Sequence, residues 1–308
     1  MADNPGQRHQ GHLAAMVFMA LRSVFSDAEG TPLPFLLRDK RNTQDDPLDE
    51  HIAEVLRTSL ADATCVRAPG PLITPDMVIA RADACRRTSR DALRMRPDLV
   101  LGLEVKKLQR TKSGGVARAA GLDYNTTPPC GTVRVYDEKL TPLDIPGFYL
   151  FVCLERAADA GKVILSAMVL CDGNLLNADF EYYLSIVGER DKEIGLGTYG
   201  DGVDRKRPML IFANPLGASE LDHAASLILR ANVDIGSEQL RPAYRILRTA
   251  EGAQEQAAFT AYRLATDLGP DHEVRQLANP FPVPAERQTA TQARGRFRLP
   301  FTISSAPE

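Results

Sequence analysis

The spacing of apolar residues along the chain predicts alternating helices and strands. An apolar run over residues 12–26 predicts a first helix, and Asp46-Pro47 is a typical start for a second. A third helix is predicted over residues 75–95, because Thr74-Pro75-Asp76 supplies an N-cap, a proline at the first position and an acid in the first turn. The second helix carries an apolar stripe formed by Leu48, Ile52, Val55, Leu56 and Leu60.

Short runs of β-branched and aromatic residues predict a sheet in the middle of the chain. Strands are expected at 132–136, 148–154, 163–170 and 208–213. The run 148–154 is almost entirely apolar and should be a central strand covered on both faces. Helices are expected at 174–189 and 219–231. The fold class is therefore α/β, with a mixed central β-sheet flanked by helices.

Length and composition indicate one globular domain over residues 1–308. Residues 1–11 are polar and expected to be disordered, and the proline-rich start of 279–308 predicts an extended C-terminal arm. The longest apolar run, 13–21, is too short to cross a bilayer, so no membrane association is expected. Five scattered cysteines without CxxC spacing suggest a reducing, cytoplasmic location.

The segment 96–106, Arg-Pro-Asp-Leu-Val-Leu-Gly-Leu-Glu-Val-Lys, places charged groups inside an apolar strand pattern. Burying carboxylates is costly unless they are paired or bind a metal. In a straight strand Asp98 and Glu104 would lie about 20 Å apart. A hairpin with 100–102 as its loop would instead bring them to about 5 Å, with Lys106 on the same face. That arrangement predicts two oxygen ligands for a hard divalent cation.

Pro97-Asp98 followed by Glu104-Val105-Lys106 resembles the motif of the PD-(D/E)xK nuclease superfamily, whose best-known members are type II restriction endonucleases. The resemblance covers these residues and a loose order of elements, and it implies a restriction-endonuclease-like fold. It also implies that Asp98 and Glu104 are catalytic and hold Mg²⁺ together with the Val105 carbonyl. Lys106 would then orient the attacking water.

Two other acids enter through the same resemblance. Pro75-Asp76 is a rival to Pro97-Asp98 as the first element of the motif, and only five residues separate Asp98 from Glu104, fewer than is usual in the superfamily. An early helix can lend a further acid to such a site. Glu54 is the candidate by position, but it lies opposite the apolar stripe of its helix, and the pattern disfavours it.

Positive charge is concentrated around this motif, although the whole chain has a net charge of −3. Residues 81–118 contain eleven Lys/Arg and four Asp/Glu, as a phosphate-binding surface would. Arginines at 86, 87, 90 and 94 share one face of the predicted helix 75–95, and the polar segment 109–129 carries side chains able to read base edges. The DNA-contacting residues predicted on these grounds are Arg87, Arg90, Arg94, Arg110, Lys112, Arg118, Asp123, Asn125 and Thr126.

These observations together predict a magnesium-dependent type II restriction endonuclease. Double-stranded DNA is the expected substrate, and a homodimer is expected because a symmetric site calls for two-fold symmetry. No Walker A motif is present, so no nucleotide cofactor is expected. The alternatives are a nuclease of repair, transposition or defence without sequence specificity, a non-catalytic DNA-binding protein, and a small-molecule α/β protein whose charged hairpin is structural.

Overall fold

The computed structural model describes residues 11–42, 45–70, 73–116, 122–124, 131–176, 198–199, 203–204, 210–212, 214–248 and 256–278, and all structural statements concern these ranges. The helices are α1 (Leu13–Phe25), α2 (Pro47–Ser59), α3 (Ala82–Cys85) and α4 (Arg90–Leu93). The strands are β1 (Phe35–Leu36), β2 (Thr64–Arg67), β3 (Met77–Ala80), β4 (Val100–Leu108), β5 (Leu122–Tyr124), β6 (Thr132–Tyr136), β7 (Pro142–Arg156), β8 (Lys162–Asp172), β9 (Thr198–Tyr199), β10 (Val203–Asp204), β11 (Leu210–Phe212), β12 (Ala225–Arg230), β13 (Leu240–Arg248), β14 (Ala257–Leu264) and β15 (Arg275–Ala278).

Eleven of these strands form one mixed sheet. Its order is β15-β13-β14-β12-β8-β7-β4-β3-β2, with β1 added beside β8 and β6 beside β7. The pairs β4–β7, β8–β12 and β13–β15 are parallel, and the other neighbours are antiparallel. Two small sheets pair β5 with β11 and β9 with β10. The architecture is α/β with a large mixed sheet and few helices, as the sequence predicted at the level of fold class.

Helices α1 and α2 confirm the two predictions that rested on long apolar stripes. His12 caps α1, its Nδ1 accepting the Ala14 N–H at 3.2 Å, and Asp46 caps α2 by accepting the Leu48 N–H at 3.1 Å. Both helices pack on one face of the sheet, against side chains of β3, β4, β7, β8 and β12. The predicted stripe of α2 lies in this core.

The opposite face of the sheet carries a second core. Tyr149, Phe151 and Cys153 of β7 alternate with the residues that face α1 and α2, as a strand covered on both sides requires. Segments 173–176 and 214–221 supply Leu175, Leu176, Leu216 and Leu221 to this core. The central strand predicted at 148–154 is therefore confirmed, and the strands expected at 132–136, 163–170 and 208–213 correspond to β6, β8 and β11.

Two predicted helices are wrong. Residues 75–95 form β3 and the one-turn helices α3 and α4, because Met77–Ala80 alternates buried and half-buried side chains between β2 and β4. Residues 219–231 contain β12, whose short apolar run is buried between β8 and β14. A run of this length does not distinguish helix from strand, so the tertiary context decides.

Several predictions fall wholly or partly outside the described residues. These are the disorder of 1–10, the helix 174–189 beyond residue 176, and the arm 279–308. Gly11, which was expected to be disordered, is in contact with the core: its carbonyl accepts a hydrogen bond from Arg81 Nη2 at 2.9 Å. The segment 109–129 is not a continuous loop, since it contains an isolated bridge between Arg110 and Val116 as well as strand β5.

Candidate active site where β3 ends beside β4

Strand β4 is continuous, and the predicted hairpin at 100–102 is wrong. Val100–Leu108 pairs with β3 on one side and β7 on the other, so the apolar run is a central strand and not a turn. Gly102 serves close packing here and does not provide a left-handed turn. A Cβ added to it would lie 2.4 Å from Val133 Cγ2 and 3.0 Å from Pro75 Cγ.

Asp98 is therefore not opposite Glu104, and its predicted role as catalytic residue and metal ligand is corrected. It lies in a turn before β4, and Val100 alone is about 13 Å from Glu104 along a strand. Its carboxylate forms a bidentate ion pair with Arg96, at 2.8 and 2.7 Å, which holds the pKa of Asp98 below its usual value. Its carbonyl accepts from Arg81 Nη1 at 2.9 Å. Asp98 stabilises the turn that leads into β4.

The acid that reaches Glu104 is the rival, Asp76. The β3–β4 ladder ends at Met77 opposite Leu103, and one further step brings Asp76 opposite Glu104. Here a side chain replaces the backbone of β3 as the hydrogen-bond partner of β4. The Val105 N–H donates to Asp76 Oδ2 at 2.7 Å. Strand β4 continues beyond this point beside β7 alone. We call this point, where β3 ends beside β4, the fork.

Glu104 and Lys106 lie together on the face of β4 that points away from α1 and α2. Glu104 is 9% and Lys106 7% exposed, and Lys106 Nζ is 2.8 Å from Glu104 Oε1. The ammonium group also lies 5.8 Å from the centre of the Tyr149 ring. Within the described part of the chain, the other carboxylate oxygen, Glu104 Oε2, is buried and accepts no hydrogen bond. A buried acceptor oxygen without a donor is costly and fits a cation ligand.

A third acid, Asp49 in the first turn of α2, lies close enough to the cluster for the charges of Asp76, Glu104 and Lys106 to act on it. The pKa of Asp49 is raised to about 7, first by burial and then by the carboxylates of Asp76 and Glu104, while Lys106 opposes the shift. Asp49 Oδ1 is buried and accepts no hydrogen bond from any described residue. Glu54, the candidate that the sequence offered from this helix, is 62% exposed and pairs with Arg57 instead.

Two carboxyl groups of the cluster, Asp49 and Asp76, have raised pKa values, so their negative charge is not fully compensated. Burial, followed by the charge of Glu104, raises the pKa of Asp76 to about 6, against the opposing effects of the Val105 N–H and Lys106. Desolvation and like charges are the two causes that favour protonated carboxyl groups. A divalent cation would remove both causes, because it supplies positive charge and takes the place of lost water.

The arrangement offers oxygen ligands, although the side chains as they stand do not form a complete cage. No group of three His, Cys, Asp or Glu in the described ranges is close enough to hold a metal ion. The backbone supplies one further oxygen. A strand residue directs its N–H and its C=O to the same neighbour, so the Val105 carbonyl points towards the Asp76 side of β4. Carboxylate and carbonyl oxygens are the ligands that Mg²⁺ prefers.

The predicted basic helix face is absent, because residues 75–95 are not one helix. Arg87 donates to the Asp83 carbonyl at 3.1 Å, and Arg90 is paired with Asp137 of the β6–β7 turn. Arg94 is exposed after α4. These three arginines remain on the surface, but helical periodicity no longer places them side by side, and their predicted contact with DNA stays a prediction.

The predicted base-reading segment is only partly described. Arg110 is held by Glu155 at 3.0 Å and by Asp222 at 3.6 Å, so its guanidinium stabilises the structure here. Lys112 is exposed in a turn, and Asp123 lies on β5 opposite Ile211 of β11. Arg118, Asn125 and Thr126 lie outside the described residues.

Comparison with protein-family models, with curated proteins and with solved structures found no significant match. Among the described residues, no helix is long and apolar enough to span a membrane.

Proposed function

We propose that this protein is a magnesium-dependent endonuclease that hydrolyses phosphodiester bonds of double-stranded DNA. The observation that carries the proposal is the hydrogen bond from the Val105 N–H to Asp76 Oδ2, at 2.7 Å. It brings Pro75-Asp76 beside Glu104-Val105-Lys106. With Asp76 as its first acid, the chain resembles the PD-(D/E)xK motif, and the mixed sheet is compatible with a restriction-endonuclease-like fold.

The residues at the fork have separate roles in this proposal. Asp76, Glu104 and the Val105 carbonyl would hold Mg²⁺, and Asp49 would complete the site directly or through a water molecule. Bound Mg²⁺ supplies Lewis-acid polarisation of the scissile phosphate and lowers the pKa of the attacking water. Lys106 orients that water and stabilises the negative charge that develops on the phosphoryl oxygens. Its burial and its contact with Glu104 fix the position of the ammonium group.

Type II site specificity and a homodimer complete the proposal. Cutting both strands of a symmetric site requires two active sites related by a two-fold axis.

Cleavage without sequence preference is a second candidate, and one observation favours it. Arg110, predicted to read bases, is engaged by Glu155 and Asp222, so the described part of the chain supports base reading less than the sequence did.

The test is digestion of a large mixed DNA substrate with Mg²⁺, followed by sequencing of the ends. Wild type should cut, EDTA should stop cutting, and Lys106→Ala should abolish it while leaving DNA binding almost intact. Ends that share one sequence would support a restriction enzyme, and random ends would support the second candidate. Absence of any Mg²⁺-dependent cleavage would refute the enzymatic proposal.

A further inference from the structure

The last four strands along the described chain, β12 to β15, are rich in arginine and contain no aspartate or glutamate. The acids of this region, such as Asp271 and Glu273, stand in the connecting segments, and none of them forms an ion pair with Arg241, Arg263 or Arg275 in the described structure. The arginines of strands β12 to β15 are Arg230, Arg241, Arg245, Arg248, Arg263 and Arg275.

A β-bulge places three of these arginines on one face. Arg241 and Tyr244 are three residues apart and would lie on opposite faces of a regular strand. The register shifts between Pro242 and Tyr244, so the extra residue returns Tyr244 to the face of Arg241. Arg263 is directly opposite Arg241, and Arg275 is directly opposite Tyr244. We call Arg241, Arg263 and Arg275 the arginine cluster.

Two members of the cluster are held in position by the Tyr244 ring. The guanidinium carbons of Arg263 and Arg275 lie 5.2 and 5.5 Å from its centre. Arg263 Nε donates to Ser226 Oγ at 3.1 Å, and its Nη2 donates to the Glu220 carbonyl. Arg275 Nη2 donates to the Tyr244 hydroxyl at 3.4 Å. These partners are neutral, so they orient the guanidinium groups without neutralising their charge.

This arrangement is unfavourable in the isolated protein. Like charges directly opposite each other on antiparallel strands repel, as Arg241 and Arg263 do here. A fixed set of guanidinium groups suits a partner that presents several negative charges, because each guanidinium can donate two parallel hydrogen bonds to one phosphate.

We propose that the arginine cluster binds the phosphate backbone of duplex DNA, as a contact site separate from the fork. The choice of DNA rests on the proposed function. The two sites lie on the same face of the sheet. A row of directly paired residues, one on each strand, runs between them: Glu104, Tyr149, Cys171, Ile228, Ala261 and Tyr244.

On this face, the two sites lie on either side of the second core, in which Cys171, Ile228 and Ala261 are buried. Five steps between neighbouring strands, at about 4.8 Å each, place Tyr244 roughly 24 Å from Glu104. The cluster therefore holds the duplex some distance from the cut and contributes affinity that does not depend on sequence.

The experiment measures binding of a labelled 20-base-pair duplex in EDTA, by fluorescence anisotropy over a range of salt concentrations. The variants are Arg241→Gln, Arg275→Gln and the double variant. Each lost phosphate contact should reduce the slope of log K against log salt by about one, and the double variant should reduce it by about two. Unrelated duplexes should be affected equally.

Arg134→Gln is the matched control, since it also removes one exposed positive charge, but one that Asp144 already neutralises at 2.8 Å. Its slope should equal that of wild type. An unchanged slope in the Arg241→Gln/Arg275→Gln variant, with an unchanged melting temperature, would overturn the proposal. The same loss seen with single-stranded RNA but not with duplex DNA would also overturn it. Loss of binding without any Mg²⁺-dependent cleavage by wild type would support the contact site and refute the nuclease.

Discussion

At the residue scale, the sequence could predict that Glu104 and Lys106 lie together, but not which acid lies beside them. Two Pro-Asp dipeptides precede them, and both satisfy the motif. The choice depends on the register between β3 and β4, which places Asp76 one step beyond Met77 and leaves Asp98 in a turn with Arg96. Register is a long-range property, and the pattern of a single strand does not contain it.

Replacement of the two acids separates the alternatives. Asp76→Asn should reduce Mg²⁺-dependent cleavage by about 100-fold or more, the size expected when a charged group at a reaction centre is lost. It should also weaken Mg²⁺ binding, measured by isothermal titration calorimetry. Asp98→Asn is the matched control and should cleave at nearly the rate of wild type, since it loses only a partly exposed ion pair. The opposite ranking of the two variants would restore Asp98 to the site.

The sequence contains a signal for Asp49 in the spacing of its helix. Positions 49, 52, 53 and 56 follow helical spacing, and three of them are Ile52, Ala53 and Leu56 of the core. A carboxylate on an apolar stripe is costly unless it has a function or a partner. Asp49 lies on this apolar stripe of α2, whereas Glu54 lies on the exposed face of the helix, so the sequence favours Asp49 over Glu54 as a buried acid.

At the element scale, the predictions of the two long helices α1 and α2 are confirmed, whereas the short strands β3 and β12 were predicted wrongly as helices. Helices α1 and α2 have thirteen residues each, with caps and wide apolar faces. Strand β3 has four residues and β12 has six, which are too few for periodicity to separate helix from strand. Both strands owe their conformation to neighbours on each side in the sheet.

The start of α1 contains a titratable cap. His12 is 6% exposed, its Nδ1 accepts the Ala14 N–H, and its buried Nε2 has no hydrogen-bond partner among the described residues. Burial lowers the pKa of His12 from 6.5 to about 4; nearby Asp98 and Asp234 oppose this shift, and Arg81 reinforces it. The folded protein therefore requires neutral His12, because protonation would remove the cap and add charge beside Arg81.

This cap predicts a loss of stability in mild acid. Between pH 6.5 and 4 the unfolded chain binds the His12 proton and the folded chain does not, so stability is full above pH 6.5 and falls as the pH decreases. From pH 7 to 4.5, wild type should lose about 2–3 kcal/mol more than His12→Asn, whose side-chain oxygen can still cap the helix. Urea unfolding of both proteins at several pH values measures the difference. Parallel curves for the two proteins would contradict the prediction.

At the scale of the whole molecule, α1 packs against strands that lie far apart in the strand order of the sheet. The core around α1 contains Leu101 and Leu103 of β4 as well as Leu227 of β12 and Tyr262 of β14. Strands β4 and β14 are separated by three others in the sheet. No pattern within a single element predicts such contacts, because they arise only when the sheet is assembled. The fold class could therefore be predicted from the sequence, whereas the strand order could not.

A buried ion pair links two distant parts of the described chain. Arg22 of α1 donates to both oxygens of Asp267, 245 residues later, at 3.3 and 2.7 Å. The Arg22 side chain is 2% and that of Asp267 10% exposed. Removal of one member leaves the other charge buried and unpaired, which is far more costly than removal of both.

Arg22→Ala should therefore destabilise the protein by about 3–5 kcal/mol, whereas the double variant Arg22→Met/Asp267→Leu should remain within about 1 kcal/mol of wild type. Arg86→Ala, which breaks the exposed pair with Asp83, should have no measurable effect. Urea unfolding followed by far-ultraviolet circular dichroism measures all three. Because the pair joins α1 to the segment that follows β14, Arg22→Ala should shift a single transition and not create a second one. A separate early transition in this variant would mean that α1 and the C-terminal strands unfold independently.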